Sequence, residues 1–323
     1  MDWKRKYIIT GLIVASVLIG AFLWIQIPGS QPETATANLS TLPSGSIIAW
    51  GLTLNDHWSV PEGNDFVAIS SAGEDNLALR RNGSIVFFGE NVSTQSYPYR
   101  VPDGTDYVAI AAGGSQSLAL TKKGSIVQWG PASYLDRAPP GEYSAISSGN
   151  EHNLALKKDG SIVAWGIRDY NLSTAPSGND YSAVSAGFRY HNLALKKDGS
   201  LVAWGSDDFG VCDVPAGKEF IAISAGNRHN LALKKDGSIA AWGDNQNGQC
   251  DVPPGNDYVA IAAGMTHSMA LTKNGTIVRW GTDANPGSTG VIKGLLKVPL
   301  GDGYVAISAG TFYGLAIKGK QPV

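Results

Sequence analysis

Four histidines, His152, His191, His229 and His267, follow short turns opened by glycine, and two cysteines, Cys212 and Cys250, each begin a Cys-Asp-Val-Pro segment. Imidazole and thiolate are strong zinc ligands, and imidazole is the commonest general base. The spacing argues against both uses. The histidines sit in equivalent places one repeat apart, with Asp75, Gln116 and Tyr313 taking that place in other units. A zinc ion needs its ligands at about 2 Å, so sites on successive units cannot share one ion, and each histidine is expected to hydrogen-bond backbone. A disulfide needs its Cα atoms within about 7 Å, so the repeat-equivalent cysteines are expected to remain two unpaired thiols. The segment Asp244-Asn245-Gln246-Asn247-Gly248 opens like a calcium loop, but its third place is Gln and the closing Glu is missing. Asp136, Asp169, Asp207 and Asp208 lie in variable loops, where solvated charge is the commoner role than acid–base chemistry. Gly-x-Ser-x-Gly, His-Glu-x-x-His and a phosphate-cradling Gly-Lys-Ser/Thr are absent from the sequence. The reading is therefore non-enzymatic, with no catalytic residue, cofactor or metal assigned.

Binding chemistry is better represented. Trp58, Tyr97, Tyr99, Arg100, Tyr134, Arg137, Arg168, Tyr170 and Phe209 occupy loops that differ from unit to unit, and Tyr190 and Phe312 occupy adjoining turns. Aromatic rings and guanidinium groups dominate interface energetics. Held on a rigid frame, these eleven residues predict a surface for a protein or glycan partner. The competing expectation is that the rings fold back to cover their own strands.

The frame is one unit written repeatedly. Trp-Gly recurs at Trp50, Trp129, Trp165, Trp204, Trp242 and Trp280, with Phe88 in the remaining place, at intervals of 38, 41, 36, 39, 38 and 38 residues. A second marker, Gly after a small residue, falls at Gly73, Gly113, Gly149, Gly187, Gly226, Gly264 and Gly310. Self-similarity at this period marks a solenoid or a propeller. Within a unit such as Phe220 to Gly243, three stretches alternate with period two and read as strands. Asp-Gly between the second and third predicts a type I′ hairpin turn, as at Asp159-Gly160, Asp198-Gly199 and Asp236-Gly237. The seven ring residues of the first marker are expected to pack between neighbouring units.

The ends decide between an open and a closed array. Tyr304 to Lys318 supplies first and second strands without a third, and Gly45 to Gly51 supplies a third strand without the others. Together they complete one unit. An open solenoid needs capping repeats, whereas closure removes exposed edges. The fold class predicted is all-β: a seven-bladed β-propeller closed by N- and C-terminal strands in one blade. Ala, Gly and Ser in the first strands fit crowding about an axis. First and third strands run alike, so the Gly-x-x-His turns and the variable loops share one face and the Asp-Gly hairpins the other.

Ahead of the propeller, Tyr7 to Ile27 is 21 residues without a charge, long enough as a helix to span about 30 Å of hydrocarbon. Lys4, Arg5 and Lys6 precede it, which places the N-terminus in the cytoplasm. The expected organisation is a cytoplasmic tip (1–6), a transmembrane anchor (7–27), a flexible linker (28–44) and the propeller (45–323), on the extracytoplasmic side of the cell membrane. Cleavage after Ala35-Thr36-Ala37 would instead release it. A net charge of −2 without a basic run excludes a nucleic-acid partner, and a monomer is expected.

Units such as AGNRHNLALKKDGSIAAWGDNQNGQCDVP (Ala225 to Pro253) resemble regulator of chromosome condensation repeats, and the resemblance covers residues 45–318. It implies a seven-bladed propeller, closest in style to short-repeat bacterial members such as the type II β-lactamase inhibitor protein. It also implies one alternative to a binding module, a guanine-nucleotide exchange factor-like regulator, and the loop carboxylates offer another, a lyase or hydrolase.

Overall fold

The computed structural model describes residues 38–51, 59–73, 75–89, 101–130, 136–167, 169–282 and 298–320. Trp58, Tyr97, Tyr99, Arg100, Tyr134 and Arg168 lie outside the described residues, as do the tip and the 7–27 segment. Among the described residues no helix is long and apolar enough to cross a membrane.

Among the described residues there are twenty-one strands and three single-turn 3-10 segments. β1 (Ser44–Gly51) stands first, followed by β2 (Phe66–Ala72), β3 (Asp75–Arg80) and β4 (Ile85–Gly89). Next come β5 (Tyr107–Ala112), β6 (Ser117–Thr121) and β7 (Ile126–Trp129), then β8 (Tyr143–Ser148), β9 (His152–Lys157) and β10 (Ile162–Gly166). β11 (Tyr181–Ala186), β12 (His191–Lys196) and β13 (Leu201–Gly205) form another group, as do β14 (Phe220–Ala225), β15 (His229–Lys234) and β16 (Ile239–Gly243). β17 (Tyr258–Ala263), β18 (His267–Thr272) and β19 (Ile277–Gly281) precede the last pair, β20 (Tyr304–Ala309) and β21 (Tyr313–Lys320).

Five groups are antiparallel three-stranded sheets, and the sixth sheet runs β20-β21-β1-β2-β3-β4. Its two halves are joined by a single residue pair, Gly45 with Phe66, whereas β1 and β21 pair along their whole length from Ser44–Lys320 to Gly51–Tyr313. The two ends of the described chain thus share one sheet. Each first strand touches the next, β2 to β5 to β8 to β11 to β14 to β17 to β20, and β20 touches β2. The architecture is all-β and propeller-like.

Side-chain size explains this packing. The first strands are buried on both faces, and their small residues admit a close neighbour. Their serines are more than small residues, because they carry hydrogen bonds between sheets. Ser70, Ser147, Ser185, Ser224 and Ser308 Oγ accept from the N–H of Ala112, Ala186, Ala225, Ala263 and Ser71 respectively, at 2.8–3.1 Å. Each first strand also opens with a buried aromatic, Phe66, Tyr107, Tyr143, Tyr181, Phe220, Tyr258 or Tyr304, followed by a register shift. Arg80, Lys196, Lys234 and Lys318 cover four of these rings at 4.4–5.7 Å.

Two expectations are corrected. The Asp-Gly hairpins are not type I′ turns, because only the glycines have positive φ (Gly160 +90°, Gly199 +88°, Gly237 +85°). Gly199 N–H donates to Lys196 O and Lys196 N–H to Ser200 O, giving a type I turn with a glycine bulge. Asp198 Oδ1 accepts from both the N–H and the hydroxyl of Ser200, which holds aspartate at negative φ. The end of the proposed linker is also packed. Leu39 and Leu42 are buried in a short turn (Leu39–Thr41), and the Arg81 guanidinium donates to the carbonyls of Leu39, Ser40 and Leu42 and to Ser44 Oγ. Two leucines and one arginine anchor residues 39–44 of it.

Candidate functional site

Strand register places turns beside loops. His191 pairs with Gly205 and His229 with Gly243, so the turn leading into a second strand adjoins the loop leaving the third. Backbone bonds join them: Ser206 N–H donates to Tyr190 O at 2.6 Å and Asp244 N–H to Arg228 O at 2.8 Å. The loops are then pinned to the following sheet. Val211 is buried, and its carbonyl accepts from Trp242 Nε1 at 3.0 Å and Asn230 Nδ2 at 2.9 Å. Gln249 O accepts from Trp280 Nε1 and Leu172 O from Trp204 Nε1. Trp165 Nε1 donates to Gln128 Oε1 instead. Among the marker rings Phe88, Trp165 and Trp280 are buried, whereas Trp50, Trp129, Trp204 and Trp242 are half-buried. All seven pack along sheet junctions or beside the chain termini's shared sheet.

Driving Leu172 and Val211 inward turns the preceding aromatic outward. Tyr170 (φ +57°) and Phe209 (φ +70°) adopt the left-handed conformation that side chains with a Cβ resist. They are 52% and 43% exposed. Tyr170 stacks on Tyr190 with centroids 4.3 Å apart and planes at 19°. The Arg228 guanidinium lies 4.7 Å over Phe209, and that of Arg189 lies 5.9 Å from the Tyr190 centroid. Arg189, Tyr190, Asp208, Phe209, Asn227 and Arg228 line one shallow cleft. Of the predicted binding residues the structure therefore brings Tyr170, Tyr190 and Phe209 together. Arg137 is exposed and Phe312 half-buried, each on a different sheet's loop or turn. Arg189 and Arg228 were missed, although a signal was present. Both stand two residues after a marker glycine, where other units carry Ser115, Glu151, Thr266 and Phe312.

Comparison with known proteins bears on the repeated unit itself. Residues 143–171, 181–211 and 220–249 each match the family model of the regulator of chromosome condensation (RCC1) repeat. These three segments are RCC1 repeats. Curated protein sequences give no match to it. Among solved structures, Prp20p from Saccharomyces cerevisiae superposes with a TM-score of 0.69 at 18% identity, over 88% of this chain and 93% of that one. The receptor kinase CR4 ectodomain from Physcomitrella patens gives 0.64 at 22% identity, over 80% and 72%. The ACR4 ectodomain from Arabidopsis thaliana gives 0.63 at 20% identity, over 80% and 95%. Likeness at these identities is likeness of fold.

The RCC1 units use their histidines to join sheets. His191 Nε2 meets Asn230 Oδ1 at 2.8 Å, His152 Nε2 the Asn192 amide at 2.8 Å, and His229 Nε2 the Ser268 hydroxyl at 2.9 Å. For these three the partners are side chains of the next sheet and not the backbone expected, whereas His267 has a backbone hydrogen bond with Tyr313. Each ring lies against its own marker glycine, where a Cβ at Gly187 would come within 2.6 Å of His191 Cε1. Burial lowers His152 and His191 to about 4 and His229 to about 3, and holds His267 well below the ordinary range. No group of three or more His, Cys, Asp or Glu among the described residues is placed to hold a metal ion. Both cysteines are free thiols. Burial, then the neighbouring Asp207 and Asp244 respectively, push Cys212 up to about 11 and Cys250 up to about 12, so neither is a thiolate at neutral pH.

Proposed function

We propose that this chain is a seven-bladed RCC1 propeller, tethered by residues 7–27 on the extracytoplasmic side of a membrane, that binds a protein or glycan partner through its variable-loop face. The pairing of β1 with β21 and the division of the six-stranded sheet at Gly45 and Phe66 support the seven-blade reading. Lys4, Arg5 and Lys6 before an uncharged run support the orientation. The fold accommodates such roles: Prp20p was studied for its binding to Gsp1p and histones, and CR4 and ACR4 carry it in receptor-kinase ectodomains.

One observation carries the binding assignment. Tyr170 and Phe209 are exposed aromatics on backbone that costs about 1–3 kcal/mol per residue to hold, and such strain concentrates at functional sites. A photo-crosslinking amino acid at position 209 on the loop face should capture a partner on intact cells, whereas one at position 236 on the hairpin face should not. Adducts from 236 alone would overturn the choice of face.

A further inference from the structure

The repeat provides an internal control for the cleft between the sheets β11-β12-β13 and β14-β15-β16. In the next unit Asn247 stands where Phe209 does, and Thr266 where Arg228 does. There the polar groups satisfy one another: Thr266 Oγ1 donates to Thr282 O at 2.7 Å, and Thr282 Oγ1 to Asn247 Oδ1 at 3.2 Å. The earlier cleft has no such closure. Arg189 and Arg228 form no ion pair among the described residues, and Arg228 Nε is buried without a hydrogen-bond partner. A guanidinium group pairs with carboxylate through two parallel N–H donors. Tyr170 is backed by Tyr190 and Phe209 by Arg228, and both rings are exposed.

A ligand meeting all of these needs a flat apolar face, an anionic group beside it and hydroxyls for Asp208 and Asn227. We infer that the cleft takes an acidic glycan, with a hexuronate ring stacked on Phe209 and its carboxylate held by Arg228 and Arg189. Asp208 and Asn227 then take sugar hydroxyls. Asp208, an acceptor without a donor, suits the hydroxyls that a sugar carries beside its carboxylate and an acidic peptide side chain does not. This deepens the loop-face assignment and rests on it.

The test is calorimetric titration of the full chain, solubilised in detergent, with an oligogalacturonate, with neutral maltohexaose and with poly-glutamate. Oligogalacturonate should bind, and Arg228→Gln should weaken it about tenfold. Phe209→Gly should weaken it similarly while leaving the melting temperature equal or higher, because glycine relieves φ +70°. That combination separates a lost contact from a lost fold. Equal binding of maltohexaose, tighter binding of poly-glutamate, indifference to Arg228→Gln, or no oligogalacturonate binding would each overturn the inference. Crosslinking from position 209 would still report separately whether the loop face binds anything.

Discussion

His191 shows how much one residue does. Its ring fills the space above Gly187, and its Nε2 reaches Asn230 on the following sheet. Such a ring must stay neutral, since charging it in this setting carries the desolvation cost that depresses its pKa. The unfolded chain binds these protons near pH 6.5 and the folded chain only near 4 or below, so folded stability is complete above 6.5 and declines as pH falls through that window. Each histidine contributes up to about 1.4 kcal/mol per pH unit. Urea unfolding between pH 6.5 and 4.5 should show this decline, and His191→Gln/His229→Gln should flatten it. Surface carboxylates lowered by their neighbours, such as Asp198, lose their contribution only at lower pH. An unchanged slope in the double variant would refute the role given to these rings. The sequence placed the histidines in equivalent positions but not their partners, because Asn230 and Ser268 become neighbours only when two sheets pack.

At the scale of the element, the hairpin is more than a turn. Gly199 O accepts from Phe220 N–H at 3.2 Å, and Gly124, Gly160, Gly237 and Gly275 hold Tyr143, Tyr181, Tyr258 and Tyr304 in the same way. Each hairpin therefore docks on the first strand of the next sheet. A Cβ at Gly199 would lie 2.2 Å from Lys218 O, in addition to the strain of φ +88°. Gly199→Ala should cost about 2–4 kcal/mol. Gly73→Ala, at φ +58° with nothing within 4 Å, should cost about 1 kcal/mol by the same thermal melts. Equal losses would mean that backbone strain, and not docking, fixes the glycine. The position of every hairpin was legible in Asp-Gly and its variants. The turn type was not, because Asp198 is held by Ser200 and the glycine by the adjoining sheet.

For the whole molecule, the junction between the last sheet and the first repeats the contacts between successive ones. Ser71 N–H donates to Ser308 Oγ at 3.1 Å, Thr311 Oγ1 to Gly73 O at 2.9 Å, and Tyr313 OH to Asn76 Oδ1 at 2.8 Å. These match Ala225 with Ser185, Phe188 with Gly226, and His191 with Asn230. Closure is thus built from the same parts as every other interface, with tyrosine in place of histidine. Removing residues 304–323 deletes β20 and β21, and strips β1 of its partner. The shortened chain should melt at a lower temperature and without a single cooperative transition. A melt as sharp and as high as that of the full chain would argue for independent, openly stacked units.

The sequence by itself determined the repeated unit, its three strands, the hairpin sites and the joining of the two ends. Those features rest on local periodicity and turn chemistry written into each stretch of about forty residues. Only the tertiary structure decided which loop residues meet. Arg228 reaches Phe209, and Tyr190 reaches Tyr170, across about twenty residues of intervening chain, because left-handed backbone and buried Leu172 and Val211 aim the rings outward. Such encounters depend on how two rigid sheets sit against each other, which no single repeat specifies.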